Sequence, residues 1–576
     1  MDYMKAYESW LLDPAIDDAT KNELRSISGD KKEIEDRFFM ELEFGTGGMR
    51  GVLGAGTNRL NIYTIRRATQ GLANYILGSD DYKPGMGVAI AHDCRRMSPE
   101  FSKEAALVLN ANGIKTYTFD SLRSTPELSF AVRHFGCISG IVVTASHNPP
   151  EYNGYKVYWS DGGQCPYPRD EAIISEVNKI TSFDMVKTIS QKEAVEKGLF
   201  TVAGADVDEA FIKSVTSQSL RPNVVEKSDI KIVFTPLYGA GNIPVRKALA
   251  RAGFKNLFAE ERQAGPDGDF PTVSYPNPEA KEAFTLSIET AKKLGADIVV
   301  ATDPDADRVG VAVLHGDEYV YLSGNMTGVL LTEYIIQGKK ESGSLPKNGA
   351  VVSTIVSTRM TKALCDKHGL MYLDVLTGFK YVGEKIKEFE ASGEASFTFG
   401  FEESYGYLAG THARDKDAIV ATMLVCEACA YYKEKEQTLI DALRGLYKEH
   451  GMYRECVESI TLKGVDGLGD IKRIMANLRE NPPKTIGGNP VEIVDDYKNS
   501  LRTYTPDGKT EEILLPVSDV LHYTLTGGSW ACVRPSGTEP KIKLYFGAKL
   551  GVDATAEEAD GKLAEMAADL KQRTAT

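Results

Sequence analysis

The chain has 576 residues, of which 42% are hydrophobic and 26% charged. This ordinary globular balance excludes large-scale disorder and collagen-like structure, and the length predicts about four domains. With 67 Lys+Arg against 81 Asp+Glu the net charge is −14, which disfavours a nucleic-acid partner, since such partners require a basic face. No apolar run approaches the roughly 18 residues that span a bilayer. The start Met1-Asp2-Tyr3-Met4-Lys5 lacks the basic-then-apolar layout of a signal peptide. Eight scattered cysteines do not form a disulfide framework. The expectation is a reduced, soluble, cytoplasmic protein with neither nucleic acid nor membrane as partner.

Along the chain, three stretches share one pattern: apolar strand, helix, glycine, second strand. The first strands read Gly87–Ala91, Ile230–Phe234 and Gly349–Ser353. The helices contain Ala106-Leu107, Ala248-Leu249 and Ala363-Leu364, and stop at Gly113, Gly253 and Gly369, where the chain is expected to turn left-handed. Ser98-Pro99-Glu100 reads as a helix N-cap followed by proline at the first helical position. Strands Ile114–Phe119, Phe254–Ala259 and Leu370–Val375 follow, then short β-rich runs at Ile141–Val143, Ile298–Val300 and Phe397–Phe399. Strands alternating with helices argue for α/β layers, whose ligands bind beyond the carboxyl ends of the strands. Cys426 and Cys429 form a C-x-x-C inside the apolar stretch Ala418–Tyr432 and are read as core. The C-terminal part differs: a strand at Glu455–Leu462, a helix at Gly469–Leu478, a strand at Ser529–Val533 and a final helix over about 555–571 predict a smaller α+β domain.

Each unit ends in a polar loop. The first is Thr144-Ala-Ser-His-Asn-Pro-Pro-Glu-Tyr-Asn-Gly-Tyr-Lys156, which puts Ser146 and His147 at a strand end. It is not the G-x-S-x-G elbow of hydrolases. The second is Asp303-Pro-Asp-Ala-Asp-Arg308. Its three alternating carboxylates should point one way like strand side chains and take a hard cation, with Arg308 a planar donor suited to phosphate. The third, Gly400-Phe-Glu-Glu-Ser-Tyr-Gly406, offers acceptors and a hydroxyl to a sugar. The fourth, Arg534-Pro-Ser-Gly-Thr-Glu-Pro-Lys541, is an anion cradle. Further cations are Arg50 in Gly47-Gly-Met-Arg-Gly51, Lys380 in Gly378-Phe-Lys380, and Arg414 with Lys416. Each of these, by itself, reads as a surface charge.

Thr-Ala-Ser-His-Asn-Pro, Asp-x-Asp-x-Asp-Arg, Glu-x-Ser and Arg-Pro-Ser-Gly-Thr-Glu-Pro, in this order, resemble the α-D-phosphohexomutase superfamily. The resemblance runs from Gly45 to about Gly547. The length and the Glu-Glu-Ser-Tyr loop are similar to the bacterial-type phosphoglucomutase and phosphopentomutase branch; phosphomannomutases and glucosamine mutases resemble it less. Phe401 stands where many members have a second glycine, which leaves the sugar open. The resemblance implies three related α/β domains with mixed sheets and a C-terminal α+β domain around a central cleft. The boundaries are set at 1–205 (phosphoserine loop), 206–325 (metal loop), 326–452 (sugar loop) and 453–576 (phosphate loop).

It further implies that Ser146 carries a phosphoryl group, that Asp303, Asp305 and Asp307 hold Mg²⁺ against that phosphate, and that Glu402 and Ser404 grip sugar hydroxyls. Arg534, Ser536, Gly537 and Thr538 would hold the phosphate that is not reacting, and Arg308, Arg414 and Lys416 would add substrate contacts. His147, Lys156, Lys380 and Arg50 are candidates for general acid and base, unranked. The implied reaction interconverts glucose 1-phosphate and glucose 6-phosphate, with glucose 1,6-bisphosphate as intermediate and activator. Phosphopentomutase or sugar-bisphosphate synthase is the alternative, with phosphomannomutase behind them. A phosphomonoester hydrolase has no need of two phosphate sites, and a catalytically dead relative would not keep Ser146, the aspartates and Arg308. Oligomeric state is not legible.

Overall fold

In a parallel sheet a strand's successor must arrive by a crossover, and this chain makes the same crossover pair three times. The computed structural model describes residues 2–45, 48–462, 467–536 and 541–574. Strands Gly87–His92, Lys115–Phe119 and Ser139–Val143 form a parallel trio with the first in the middle. Lys231–Thr235, Asn256–Ala259 and Ile298–Thr302 repeat it, as do Gly349–Thr354, Met371–Val375 and Ser396–Glu402. Each third strand then pairs antiparallel with the strand that follows it: Tyr152–Trp159, Val309–His315 and Gly406–Ala409. The sheets are therefore mixed.

Burial explains why these runs are strands. Ile298, Val299 and Val300 are wholly buried, contributing roughly 1.5–3 kcal/mol each, against backbone ordering of about 1–2 kcal/mol per residue. Helices Asn242–Ala252 and Met360–His368 end on Gly253 and Gly369 with φ of 107° and 71°. Gly113, φ 79°, lies one residue past the Asn112 cap of helix Ser98–Ala111. That helix begins differently from the sequence expectation. Its N-cap is Met97, itself left-handed at φ 65°, and Ser98 is the first helical residue. The Ser98 hydroxyl instead donates to Asp93 Oδ1 at 2.8 Å.

The fourth sheet is antiparallel, in the order Met452–Thr461, Lys541–Leu550, Trp530–Pro535, Leu521–Leu525, Asn489–Asp496, Leu501–Tyr504, Thr510–Glu512. Helices Gly467–Glu480 and Ala556–Thr574 bury Met475, Leu478, Met566 and Leu570 in one cluster with Phe546 of the sheet. Three short helices, Tyr3–Leu12, Asp18–Ser26 and Lys31–Phe38, precede the first unit and pack Tyr7, Trp10 and Phe38 with Tyr63. Sequence reading assigned nothing there. Cys426 and Cys429 sit buried in helix Ala418–Glu434, and all eight cysteines are unbridged. Among the described residues no helix is long and apolar enough to cross a membrane.

Candidate active site

The three chemistry-bearing loops occupy one topological position. Each joins the third strand of a parallel trio to its antiparallel partner: residues 144–151, 303–308 and 403–405. In each sheet that is the carboxyl end of the third strand, so the repeat itself delivers the three loops to equivalent places. The second unit has a longer segment before its third strand: between Asn256–Ala259 and Ile298–Thr302 lie two short 3-10 helices and helix Thr285–Leu294.

Ser146 is buried and left-handed, φ 52°. Its Oγ donates to Asp303 Oδ2 at 2.8 Å and lies 3.2 Å from His147 Nδ1. The first and second loops thus meet at this serine. Burial, followed by the charges of Arg308 and Arg50, pushes the His147 imidazole well below its ordinary value, so it is neutral at pH 7. Arg50 Nη1 reaches across to Asn148 Oδ1 at 3.2 Å.

The aspartates converge by a turn rather than by the alternation of a strand. Ala306 N donates to Asp303 O at 2.9 Å, and Ala306 is left-handed at φ 53°. One carboxylate oxygen from each of Asp303, Asp305 and Asp307 lies within 4.8 Å of the others, all buried. Asp303 Oδ1 accepts the Asp307 and Arg308 amides. Asp305 Oδ2 accepts Lys156 Nζ at 2.8 Å and Thr125 Oγ1 at 2.9 Å. Asp305 Oδ1 and Asp307 Oδ1 are buried without hydrogen-bond partners. Unsatisfied buried carboxylate oxygens are costly, and a hard cation with oxygen ligands would satisfy them. The donor set therefore fits a metal ion.

Charges around this cluster are unequal. Burial, then Asp305 and Asp307, raises the Asp303 carboxyl well above the carboxylate range. Burial also opposes ionisation of Asp307, but Lys416, Lys156 and Arg308 together outweigh it and hold that carboxyl low. Lys156 and Lys416 are held in the ammonium form: their burial opposes the charge, and the carboxylates overcome it. Arg308 gives Nη1 to Glu279 Oε1 at 2.9 Å. This acidic partner was not foreseen.

The third loop joins the second through backbone. Arg308 and Gly406 form an antiparallel bridge, and Val309 N donates to Tyr405 O at 3.1 Å. Glu402 is buried at the strand end, Oε1 accepting Gly378 N at 2.9 Å. Burial pushes its carboxyl up to about 7 while Lys416 pulls it back. Ser404 is half-buried between Glu403 and Tyr405. Lys416 Nζ lies 2.9 Å from Asp415 Oδ1 and 3.3 Å from Asp307 Oδ2. A Cβ on Gly406 would fall 2.0 Å from Lys416 Cδ. Phe401 is fully buried and stacks near Phe399 and Tyr407. Its ring lies against Gly328, where a Cβ would come within 2.4 Å. The unusual phenylalanine is thus matched by a helix glycine in the core.

The chain matches phosphoglucomutase/phosphomannomutase alpha/beta/alpha domain I over residues 41–184, domain II over 209–316, domain III over 323–449 and the C-terminal domain over 475–565. The chain belongs to the phosphoglucomutase/phosphomannomutase family. It is 37% identical over 521 residues to a phosphoglucomutase of Staphylococcus haemolyticus, covering 90% of this chain and 92% of that one. A phosphoglucomutase of Staphylococcus aureus is 36% identical over 551 residues, 94% and 95% of the two chains. The fold is similar to Paramecium pp63/parafusin (phosphoglucomutase) in its open form, with TM-score 0.67 at 17% identity over 92% and 94% of the chains. It is also similar to a phosphoglucomutase/phosphomannomutase family protein of Burkholderia thailandensis, with TM-score 0.65 at 19% identity over 92% and 96%.

In this family member, not every predicted residue joins the carboxylate cluster. Lys380 begins helix Lys380–Ser392, with Nζ 3.5 Å from Asp170 Oδ2. Arg414 and Lys416 are buried, not the surface charges that each suggested by itself. The Arg414 guanidinium bonds Glu390 at 2.6 Å and the Thr411 carbonyl, and its amide donates to Ser129 Oγ. Arg534 stands on strand Trp530–Pro535 opposite Lys543, its charge acting on Glu403 and Tyr545. Ser536 N donates to Lys541 O at 2.8 Å. Gly537 and Thr538 lie outside the described residues. Sequence reasoning missed Thr125, Glu279 and the pair Asp93 and Arg95. The one available signal was Asp93-Cys-Arg95 directly after an apolar strand, here the first of its trio rather than the third.

Proposed function

We propose that this chain interconverts α-D-glucose 1-phosphate and glucose 6-phosphate by way of phosphoserine 146 and glucose 1,6-bisphosphate. The observation that carries the reading is Ser146 Oγ hydrogen-bonded to Asp303 within a buried carboxylate cluster that has two unpartnered oxygens. The phosphoglucomutase relatives support the choice of a hexose. Asp303, Asp305 and Asp307 would hold Mg²⁺ beside the phosphoseryl group. When bound, the ion supplies charge neutralisation to the phosphoryl oxygens, on which such transfer mostly depends.

The residues' own parts follow from their charge states. His147, neutral and within reach of Ser146 Oγ, holds and returns the proton at that oxygen. Lys156, locked as ammonium, serves as a fixed cation rather than a base, and Arg308 and Arg50 add positive charge. Glu402 and Ser404 would bind sugar hydroxyls. Lys380 remains a candidate for the sugar-side proton, and the Arg534 loop for anchoring the non-reacting phosphate. Arg414 and Lys416 remain candidates for substrate contacts, with Lys416 also steadying Asp307 and Glu402. The domain boundaries are proposed at 205, 325 and 452; strand Met452–Thr461 begins at the last of these. A cytoplasmic setting accords with eight unbridged cysteines.

The test compares turnover of glucose 1-phosphate and ribose 1-phosphate, assays inorganic phosphate, and maps phosphopeptides. Phosphate at Ser146, with glucose 1-phosphate preferred and little phosphate released, is the expected result. A preference for the pentose would reassign the substrate; phosphate release matching turnover would make the enzyme a hydrolase.

A further inference from the structure

A serine that must lose and regain a phosphoryl group has to return to one position each cycle, yet Ser146 is itself left-handed and lies in a loop whose residues include Pro149 and Pro150. Prolines carry no N–H, so the loop cannot supply all of its own hydrogen bonds. The missing donors come from outside it. The Arg95 side chain is wholly buried. Its Nη1 donates to Pro149 O at 2.8 Å and Tyr152 O at 2.9 Å, and its Nη2 to Ser146 O at 2.6 Å and to Asn148 O. All four carbonyls belong to residues 146–152. Phe270 backs the guanidinium, with its ring centroid 5.0 Å away.

Asp93 completes the device. Its Oδ2 lies 3.3 Å from Arg95 Nε and accepts Thr144 Oγ1 at 2.7 Å. Thr144 Oγ1 in turn accepts the Ser146 amide at 2.8 Å. Asp93 Oδ1 accepts the Arg95 amide and the Ser98 hydroxyl. The amide and the carbonyl of Ser146 are thus both tied to one buried ion pair. We propose that Arg95, oriented by Asp93, is the positioning residue that fixes the Ser146 loop for phosphoryl transfer. This inference rests on the phosphoserine reading above.

Because Asp93 neutralises Arg95 and the guanidinium faces carbonyls, Arg95 has no part in binding the sugar phosphate. Only a planar fork with five donors spans four carbonyls; a lysine ammonium keeps the charge but has three donors and no plane. Misplacing a reacting atom by about 1 Å costs on the order of a hundredfold in rate. Arg95→Lys should therefore lower kcat about a hundredfold and leave KM for glucose 1-phosphate nearly unchanged. In Arg95→Ala, added guanidinium ion should restore part of kcat, and ammonium should not.

Phosphopeptide mapping of the parent enzyme is run alongside. Absence of phosphate at Ser146 there would remove the phosphoserine reading and this one with it. With phosphate present, an Arg95→Lys enzyme of unchanged kcat would overturn the proposal alone, as would one whose KM rises at constant kcat. If Arg95→Ala fails to fold, Arg95→Lys decides: a lowered kcat in a protein of parental melting temperature supports positioning. Loss of kcat only in step with loss of folded protein refutes it.

Discussion

Glu402 carries its carboxyl in a buried site, and the consequence for stability has a definite sign. The ordinary value is 4.5 and the folded value about 7, so the folded chain holds a proton that the unfolded chain has released between those limits. The stability from this group is fully present below the unfolded pKa and is lost as pH rises through 7. The difference of about 2.5 pH units corresponds to roughly 3 kcal/mol at most, the attraction of Lys416 being already contained in the folded value. Glu402→Gln keeps an acceptor for Gly378 and has no charge to lose. Its melting temperature should exceed the parent's at pH 8, and the gap should narrow towards pH 5. A gap independent of pH would show that burial does not raise this carboxyl. Ser146, the three aspartates and Glu402 could be picked out in the sequence because their side-chain chemistry stands out in a short motif. Arg95, Thr125 and Glu279 could not. Their meaning lies in partners 51, 180 and 29 positions away, and an isolated Arg, Thr or Glu carries no mark of that.

Helix Gly324–Glu341 against strand Ser396–Glu402 shows how an element transmits a residue's choice. Phe401 fills the space that Gly328 leaves, and Glu402, one position on, points to the other face of the strand. Gly328→Ala would put a methyl 2.4 Å from the Phe401 ring and force helix and strand apart, costing about 1–3 kcal/mol. The melting temperature should fall and KM for the sugar phosphate should rise together. Adding Phe401→Leu should recover part of both, and a double-mutant cycle measures the coupling. Strict additivity would mean that the two residues do not compete for space. The strands and helices of the three units were legible because glycines and apolar runs recur in register. The antiparallel return strand that makes each chemistry loop a hairpin end was not, since a short run such as Gly406–Ala409 is indistinguishable from loop by composition. The N-terminal helices escaped for a related reason: each is 8–10 residues long and stands mainly on contacts with the others.

At the scale of the whole molecule, the cluster is assembled from distant parts of the chain. Ser146 meets Asp303 across 157 positions, and Lys156 meets Asp305 across 149. No local pattern predicts such meetings; only the resemblance of four ordered motifs implied them. A cation held by the aspartates would bind the folded chain and not the unfolded one. Saturating it to 100 times its dissociation constant would stabilise the fold by about 2.7 kcal/mol. Chelation should lower the melting temperature and abolish turnover, and Mg²⁺ should restore both. The Asp305→Asn protein should show a much smaller shift on chelation. An unchanged melting temperature and full activity after exhaustive chelation would remove the metal from the account.

The bridge between Arg308 and Gly406 bears on how such enzymes change their tastes. Recombination or laboratory evolution would naturally treat the 402–406 loop as an exchangeable cassette. In this chain the cassette is not modular. A Cβ on its last residue would fall 2.0 Å from Lys416 Cδ, so a side chain there presses on the lysine that holds Asp307. A donor loop that carries alanine or serine at position 406 would fail by disturbing the neighbouring carboxylates, whatever sugar it was chosen to accept. Successful exchanges should therefore keep glycine there.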